Sequence, residues 1–170
     1  MKSPANRDAV IARYIDGPKL LEKALTGLSE ADLDTAPSKG GWTIRQIVHH
    51  IVDGDDIWKM GIKQALGHDQ SEFSLDWYRA FAQDRWADRW AYADRSIDVS
   101  LAMLKAIRDH VIQLIENIPD AWDKSVGLRE PNGGMEIVPV GFVIEMQADH
   151  VEHHVKRILS IRGELEGAYR

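Results

Sequence analysis

Two groups of histidines stand where helical spacing could bring them together. Three of the seven histidines are His150, His153 and His154, within HVEHHVKRI, and two more are the adjacent His49 and His50. Successive residues of a helix turn by about 100°, so neighbouring apolar residues show which histidines face a core. His150 and His154 fall in the apolar sector of the last helix, and His50 lies at the edge of an apolar face. His49 points nearly the opposite way, and His153 falls to the polar side.

Core-facing histidines at i and i+4 have Cβ atoms about 5–6 Å apart, so both rings can turn toward one ion. Imidazole nitrogen binds zinc and other first-row divalent ions at about 2.0–2.1 Å. We predict a divalent metal site, zinc or nickel with a preference for zinc, held by His50, His150 and His154. Three imidazoles leave a coordination position open, as catalytic sites do. In the competing interpretation these are core histidines without an ion. Each polar ring buried without a partner would then cost about 1–3 kcal/mol of stability.

Composition and missing motifs exclude several other classes. The chain has no cysteine, which excludes thiolate ligands, disulfides and a cysteine nucleophile. A zincin needs glutamate directly after its first histidine, where this chain has Val151. The net charge of −6, without a basic run, argues against a nucleic-acid partner. The sequence contains no stretch of about 18 apolar residues, which a membrane-spanning helix would need, so we expect a cytoplasmic protein.

Apolar residues recur with helical period along most of the chain. Helix start signals are clear at Ser29 with Asp32 and at Thr43 with Gln46, which have capping-box spacing. The pattern predicts helices at about 5–27 (interrupted at Gly17-Pro18), 43–66, 76–83, 92–117 and 139–163. Residues 68–75 are expected to form a loop, and 120–138 a loop that can include a brief extended piece. We therefore predict an all-α fold, a four-helix bundle with short accessory helices and no substantial sheet, as one domain spanning residues 1–170.

Three segments carry a family resemblance. GGWTIRQIVHHIVDGD at 41–56, HVEHH at 150–154 and YIDGPKLLEKALTGLSEADLD near the start resemble the DinB/YfiT-like superfamily of metal-binding four-helix bundles. The resemblance covers nearly the whole chain, with 68–138 matching only loosely. The family's metal-binding histidines fall on His50, His150 and His154. The resemblance also implies up-up-down-down connectivity and a homodimer.

The resemblance further implies a metal-dependent enzyme that acts on a small molecule. Relatives include transferases and isomerases that use low-molecular-weight thiols such as bacillithiol and mycothiol, and many are called metal-dependent hydrolases. Domains of ergothioneine-forming sulfoxide synthases also belong here, but they place glutamate two residues after the last histidine, where this chain has Lys156. We expect a thiol transferase or a hydrolase, with no residue yet assigned a catalytic role. The alternative is a non-catalytic helical binding or dimerisation module with no metal or a structural one.

The remaining candidates have a functional and a structural interpretation. Asp53, one turn after His50, is either a partner for that ring's N–H or a carboxylate facing solvent. His153 is a proton shuttle or, more simply, a solvated residue. Trp42 is expected to pack as a hydrophobic staple at the start of its helix rather than to serve as a platform for a substrate. His68 and His110 are expected at the surface, and the 120–138 loop is a candidate cover for the open metal position.

Overall fold

A computed structural model describes residues 1–168; Tyr169 and Arg170, which the expected 1–170 domain includes, lie outside the described residues. The described chain forms, in order, α1 (Arg7–Leu25), α2 (Glu30–Leu33), α3 (Ile44–Gly67), β1 (Glu72–Ser74), α4 (Asp76–Arg79), α5 (Gln83–Arg89), α6 (Ile97–Asn117), β2 (Ser125–Arg129), β3 (Met135–Pro139) and α7 (Val140–Ala168). The prediction of a mostly helical protein is confirmed. No helix in this part of the chain is both long and apolar enough to cross a membrane.

The four long helices form a bundle in which α1 and α3 each pack against both α6 and α7. Arg13, in the first half of α1, forms an ion pair with Glu152. Farther along both helices, Arg162 donates to the carbonyl of Ala24. Residue numbers therefore increase together on α1 and α7, so these two helices run parallel.

The helices α3 and α6 also run parallel. His49, early in α3, bonds to Ser100, early in α6, and Asp55 bonds to Arg108 farther along both helices. The helices α3 and α7, in contrast, run antiparallel. The rings of His50 and His154 are in contact, whereas the later Asp55 accepts from an earlier residue of α7.

The helix order is therefore up-down-down-up, and the expected up-up-down-down connectivity is wrong. The segment 26–43 turns the chain at one end of the bundle, because α3 begins where α1 ends. The long crossover lies later, at 68–96, where the chain returns along the bundle between the parallel helices α3 and α6. One crossover of this length is sufficient for the observed order.

Both predicted capping boxes are present, at Ser29 with Asp32 and at Thr43 with Gln46. The predicted interruption of α1 is wrong, since the helix continues through Pro18. Proline has no N–H, so the carbonyl of Tyr14, four residues earlier, loses its helical partner. Arg108 replaces that partner by donating from Nη1 to the Tyr14 carbonyl at 2.7 Å. This bond explains how α1 tolerates an internal proline.

A three-stranded sheet replaces the two loops expected at 68–75 and 120–138. Its order is β1-β2-β3, with β1 parallel to β2 and β2 antiparallel to β3. The β2–β3 hairpin buries Val126, Leu128 and Val138 on one face, and Gly133 in its turn has a φ of +82°. The sheet is small, with strands of three, five and five residues, so the fold remains mostly helical and the sheet lies beside the bundle.

The boundaries of several other helices differ by a few residues from the predicted boundaries. The short helix predicted at 76–83 is divided into α4 and α5, and α6 begins at Ile97 because Ser96 caps it. The last helix continues through Gly163 to Ala168. These differences leave the four long helices in place.

The apolar core consists of two clusters, one toward each end of the bundle. On α6, Leu104 belongs to one cluster and Val111 to the other, and on α7 the division falls between Ala148 and Val151. Buried polar residues occupy the level between them, with His150 at that level on α7. The candidate site thus lies at the middle of the bundle rather than at an end.

Candidate metal centre

The structure brings His50, His150 and His154 together from α3 and α7. One ligand nitrogen from each residue lies within 4.8 Å of the other two. The Nε2 atoms of His50 and His150 are 3.0 Å apart, and the three ring centroids are separated by 4.6–4.9 Å. The predicted convergence of the three inward-facing rings is therefore present in the structure.

Burial keeps these three imidazoles neutral. It lowers the pKa of His50 to about 3, with the neighbouring His150 and Arg157 adding to the effect. Burial likewise lowers the pKa of His150 to about 4, assisted by Arg108, and that of His154 to about 2, assisted by the other two histidines. A neutral imidazole has a free lone pair on one nitrogen, which is the form that binds metal ions.

The donor set fits a divalent first-row ion. Two nitrogens bound to one ion at about 2.1 Å can be at most about 4.2 Å apart, so the widest pair must approach by roughly half an ångström. His154 Nδ1 is buried and has no hydrogen-bond partner. A buried nitrogen of this kind is costly to leave unpaired, and a metal–nitrogen bond is one way to satisfy it. His50, His150 and His154 are thus the residues that could hold an ion.

Neighbouring residues restrict the ring positions. The indole of Trp42 packs against the imidazole of His50, with centroids 4.6 Å apart. A Cβ at Gly54 would lie 3.3 Å from His150 Cε1, closer than most such contacts, so glycine leaves room for that ring. Trp42 was expected only as a helix-start staple; its contact with His50 was missed.

A cavity of about 130 Å³ opens beside two of the histidines. It is lined by His50, Gly54, Trp58, Tyr78, Gln83, Met146, Gln147 and His150. Tyr78 and Gln83 belong to the crossover, so α4 and α5 cover this side of the site. The expectation that the 120–138 loop forms the cover is therefore wrong. The lining combines apolar side chains with polar groups, as ligand pockets do, and the volume is sufficient for only a few non-hydrogen atoms.

Comparison with known proteins identifies the family. The family model described as the DinB superfamily matches residues 13–158. This chain belongs to the DinB superfamily.

Two relatives carry the name "Putative metal-dependent hydrolase". The one from Bacillus cereus (strain ATCC 10987 / NRS 248) is 30% identical over 158 residues, or 93% of this chain and 86% of the relative. The one from Oceanobacillus iheyensis is 26% identical over 146 residues, or 86% of this chain and 80% of the relative.

A solved structure shows the same fold. YfiT from Bacillus subtilis, described as a probable metal-dependent hydrolase with an unusual four-helix bundle topology, superposes with a TM-score of 0.81. The two chains are 22% identical, and the match covers 98% of this chain and 91% of YfiT. The four-helix-bundle class predicted from the sequence is therefore confirmed for this DinB-superfamily chain.

The other histidines lie outside the three-ring group. His49 is fully buried on the α6 side of α3, where it bonds to Ser100 Oγ at 2.8 Å and to the Arg95 carbonyl at 3.2 Å. A carbonyl only accepts, so Nε2 donates to it, and Nδ1 accepts from the serine hydroxyl. Burial lowers the pKa of His49. This histidine is a satisfied core residue. The remaining histidines, His68, His110 and His153, are exposed, as expected.

Asp53 has partners other than His50. Its carboxylate lies 3.8 Å from Arg95 Nη1, and the hydroxyl of Tyr92 is its other polar neighbour. Burial raises the pKa of Asp53, and these two partners oppose the increase. Within the described residues no hydrogen bond joins Asp53 to His50, so the interpretation of Asp53 as a partner for that ring is not supported, and the side chain is partly buried rather than fully solvated.

A buried polar network next to the site was missed from the sequence. Arg108 and Asp55 form an ion pair that is almost inaccessible to solvent, and Gln147 bonds to both residues. A signal for it existed. Arg108 stands in the apolar series of α6 between Leu104 and Val111, and a charged residue at such a position is rarely buried without a partner.

Proposed function

We propose that this chain is a metal-dependent enzyme that holds one divalent ion on His50, His150 and His154 and activates a low-molecular-weight thiol for transfer to an electrophile. The observation that supports this proposal is the convergence of three neutral imidazoles beside a cavity. A bound ion supplies Lewis acidity, which lowers the pKa of an S–H or O–H group that it coordinates. We favour zinc over nickel, although both accept three imidazoles.

The chain's own residues position the ligands and shape the site. Trp42 packs against the ring of His50, Gly54 leaves room for the ring of His150, and burial keeps both rings neutral. Trp58 and Met146 supply apolar walls to the cavity, which limit the access of water to a bound thiol. In a dry site, electrostatic interactions between the ligand and the protein are stronger than in water.

The cavity lining favours a thiol over water as the nucleophile. Apart from His50 and His150, which the ion would occupy, none of the described residues that line it is a histidine, a carboxylate or a lysine, so the commonest general bases are lacking there. A free thiol has a pKa of about 8.5, against about 15.7 for bulk water, and needs less help to ionise. In the transfer, the S–H proton goes to solvent, the sulfur bonds to the carbon of the electrophile, and its leaving group, for example a halide, departs with the bonding electron pair.

Hydrolysis is the second candidate, and the names of the two bacterial relatives favour it. Water would add to the carbonyl carbon of an ester or amide and lose a proton. The C–O or C–N single bond would then break, and the alcohol or amine would leave with that bond's electron pair and take up a proton. The same three histidines serve both reactions. Only the nucleophile that enters the cavity differs.

The deciding experiment has two stages. Protein purified without a metal-affinity tag is first analysed for metal content, as wild type and as His150→Ala; we expect about one ion per chain in the wild type and a large loss in the variant. The loaded protein is then offered low-molecular-weight thiols with an alkyl halide, and separately esters and amides. Hydrolysis without thiol transfer would refute the transferase. A wild type without metal would leave the non-catalytic helical module as the better interpretation.

The oligomeric state and the cellular location complete the proposal. We propose a homodimer; exposed Leu20 and Leu159 beside the groove between α1 and α7 offer an apolar contact surface. Sedimentation of the wild type as a monomer at all concentrations would exclude it. We also propose a cytoplasmic location, where thiols are kept reduced, and cell fractionation tests it.

A further inference from the structure

Gln147 has a free acceptor atom at the candidate site. It lies on α7, one turn before His150, is only 2% exposed and lines the cavity. Its Nε2 donates to the carbonyl of Asp55 at 3.3 Å, and its own carbonyl accepts from Arg108 Nη2 at 2.9 Å. Its Oε1 is buried and has no hydrogen-bond partner.

The orientation of this amide follows from its neighbours. The Asp55 carbonyl can only accept, so the NH₂ group of Gln147 must face it. Oε1 then occupies the other side of the amide. Arg108 bonds to the backbone carbonyl of Gln147 and forms the buried ion pair with Asp55. Both ends of the Gln147 side chain are therefore held in place, and it has little freedom to turn Oε1 elsewhere. A buried carbonyl oxygen without a donor is uncommon in folded proteins and calls for a partner.

We propose that Gln147 Oε1 accepts a hydrogen bond from an O–H or N–H group of the molecule bound in the cavity. The site then selects ligands that carry a donor close to the group that meets the three histidines. For a thiol substrate, this describes a compound with a hydroxyl, amine or amide N–H near its sulfur. Sites built to bond a donor discriminate strongly against analogues that lack it, because the acceptor stays buried and unpaired. The inference rests on the proposed metal site.

A matched pair of small ligands tests the proposal by binding alone. Acetohydroxamic acid binds divalent ions and carries an N–H, whereas N-methylacetohydroxamic acid binds through the same two oxygens and lacks it. We expect the zinc-loaded wild type to bind the first about tenfold more tightly, the effect of one hydrogen bond in a buried site. Isothermal titration calorimetry measures both dissociation constants. Equal affinities in the wild type overturn the proposal without any variant.

Two variants separate the hydrogen bond from the size of the added methyl group. Gln147→Met keeps a side chain of similar length but removes Oε1, so the tenfold preference should disappear. Gln64→Met is the control, because Gln64 Oε1 is also buried without a partner but lies outside the cavity lining. It should keep the wild-type preference. A preference that survives in Gln147→Met shows that the methyl group is excluded by its size, and overturns the proposal.

Failure of this inference is distinguishable from failure of the metal site. Metal content and circular dichroism are measured on each variant before titration. A wild type that binds no zinc refutes the metal centre itself. A wild type that binds zinc but shows no selectivity between the two hydroxamates refutes the role of Gln147 and leaves the metal centre intact.

Discussion

Arg108 Nε lies 2.7 Å from Asp55 Oδ2, and both side chains are at most 1% exposed. The other guanidinium nitrogens donate to the carbonyls of Tyr14 and Gln147, so one side chain joins all four long helices. It does so at the level of the three histidines. Between the two apolar clusters that pack α3 against α7, a single buried cation thus joins the helices at the level of His50 and His150.

Replacing Arg108 should destabilise the fold severely. Arg108→Met leaves Asp55 buried without a partner and the Tyr14 carbonyl without a donor. Removing one member of a buried pair typically costs about 3–5 kcal/mol. Urea unfolding at pH 7 should show a loss of this size in the free energy of unfolding. Lys105→Met, which removes the exposed pair with Asp109 one turn away, is the control and should leave the free energy of unfolding nearly unchanged, because solvent screens an exposed pair.

Gly17 should be intolerant of alanine although it lies inside a helix. A Cβ there would lie 2.1 Å from Arg108 Nη1 and 3.1 Å from its Cζ, so the guanidinium would have to leave the Tyr14 carbonyl. We expect Gly17→Ala to lower the free energy of unfolding by about 1–3 kcal/mol, since a buried polar group then loses its bond. Gly163→Ala meets nothing within 4 Å on α7 and should instead stabilise by up to about 1 kcal/mol. Equal effects of the two substitutions would contradict the assigned contact.

The sequence predicted the histidine group because helical period alone assigns faces. Ile47, Ile51 and Ile62 identify the core side of α3, and His50 follows from them. The directions of the helices could not be read in this way. They depend on contacts between residues far apart in the chain, such as Arg13 with Glu152.

The sheet was missed for a different reason. β1 has only three residues, Glu72–Ser74, too few to show an alternating pattern. Its pairing with β2 is long-range and parallel, and local sequence carries little information on such a pairing. The role of Trp42 was also hidden, since a staple at a helix start and a wall for a histidine have the same sequence pattern.

Acid should unfold the metal-free protein through the buried histidines. Their pKa values lie at about 2–4 in the folded chain, below the usual value near 6.5 in the unfolded one. The unfolded state therefore binds more protons between about pH 6.5 and pH 4, and stability falls as the pH falls through that window. Each such proton contributes a slope of about 1.4 kcal/mol per pH unit.

Unfolding of the chelator-treated protein at pH 7, 5.5 and 4.5 measures this slope. His154→Leu should have a shallower dependence than the wild type, and His110→Leu, at an exposed position, should match the wild type. An unchanged slope in His154→Leu would show that this histidine does not resist protonation in the folded state.

Trp42 should contribute to metal affinity through packing alone. Its indole restricts the His50 ring from the side, so Trp42→Ala gives that ring more freedom before an ion binds. We expect zinc affinity to fall by about tenfold, comparable to the loss of an outer contact to a metal ligand. Competition with a colorimetric chelator measures the change. Trp77→Ala is the control, since Trp77 is half exposed and packs against other crossover aromatics. Equal affinities in the two variants would contradict a role for Trp42.

Removing the ion should leave the fold nearly intact. The two core clusters lie above and below the histidines and do not depend on them, so a chain of this size should bury enough apolar surface to fold without metal. Treatment with a chelator should therefore leave the far-ultraviolet circular dichroism unchanged. It should lower the midpoint of thermal unfolding by only a few degrees, because an ion that binds the folded state adds stability by mass action. The variant His50→Ala should melt at the same temperature with and without zinc. Loss of helicity on chelation would instead identify a structural ion and remove the main support for an enzyme.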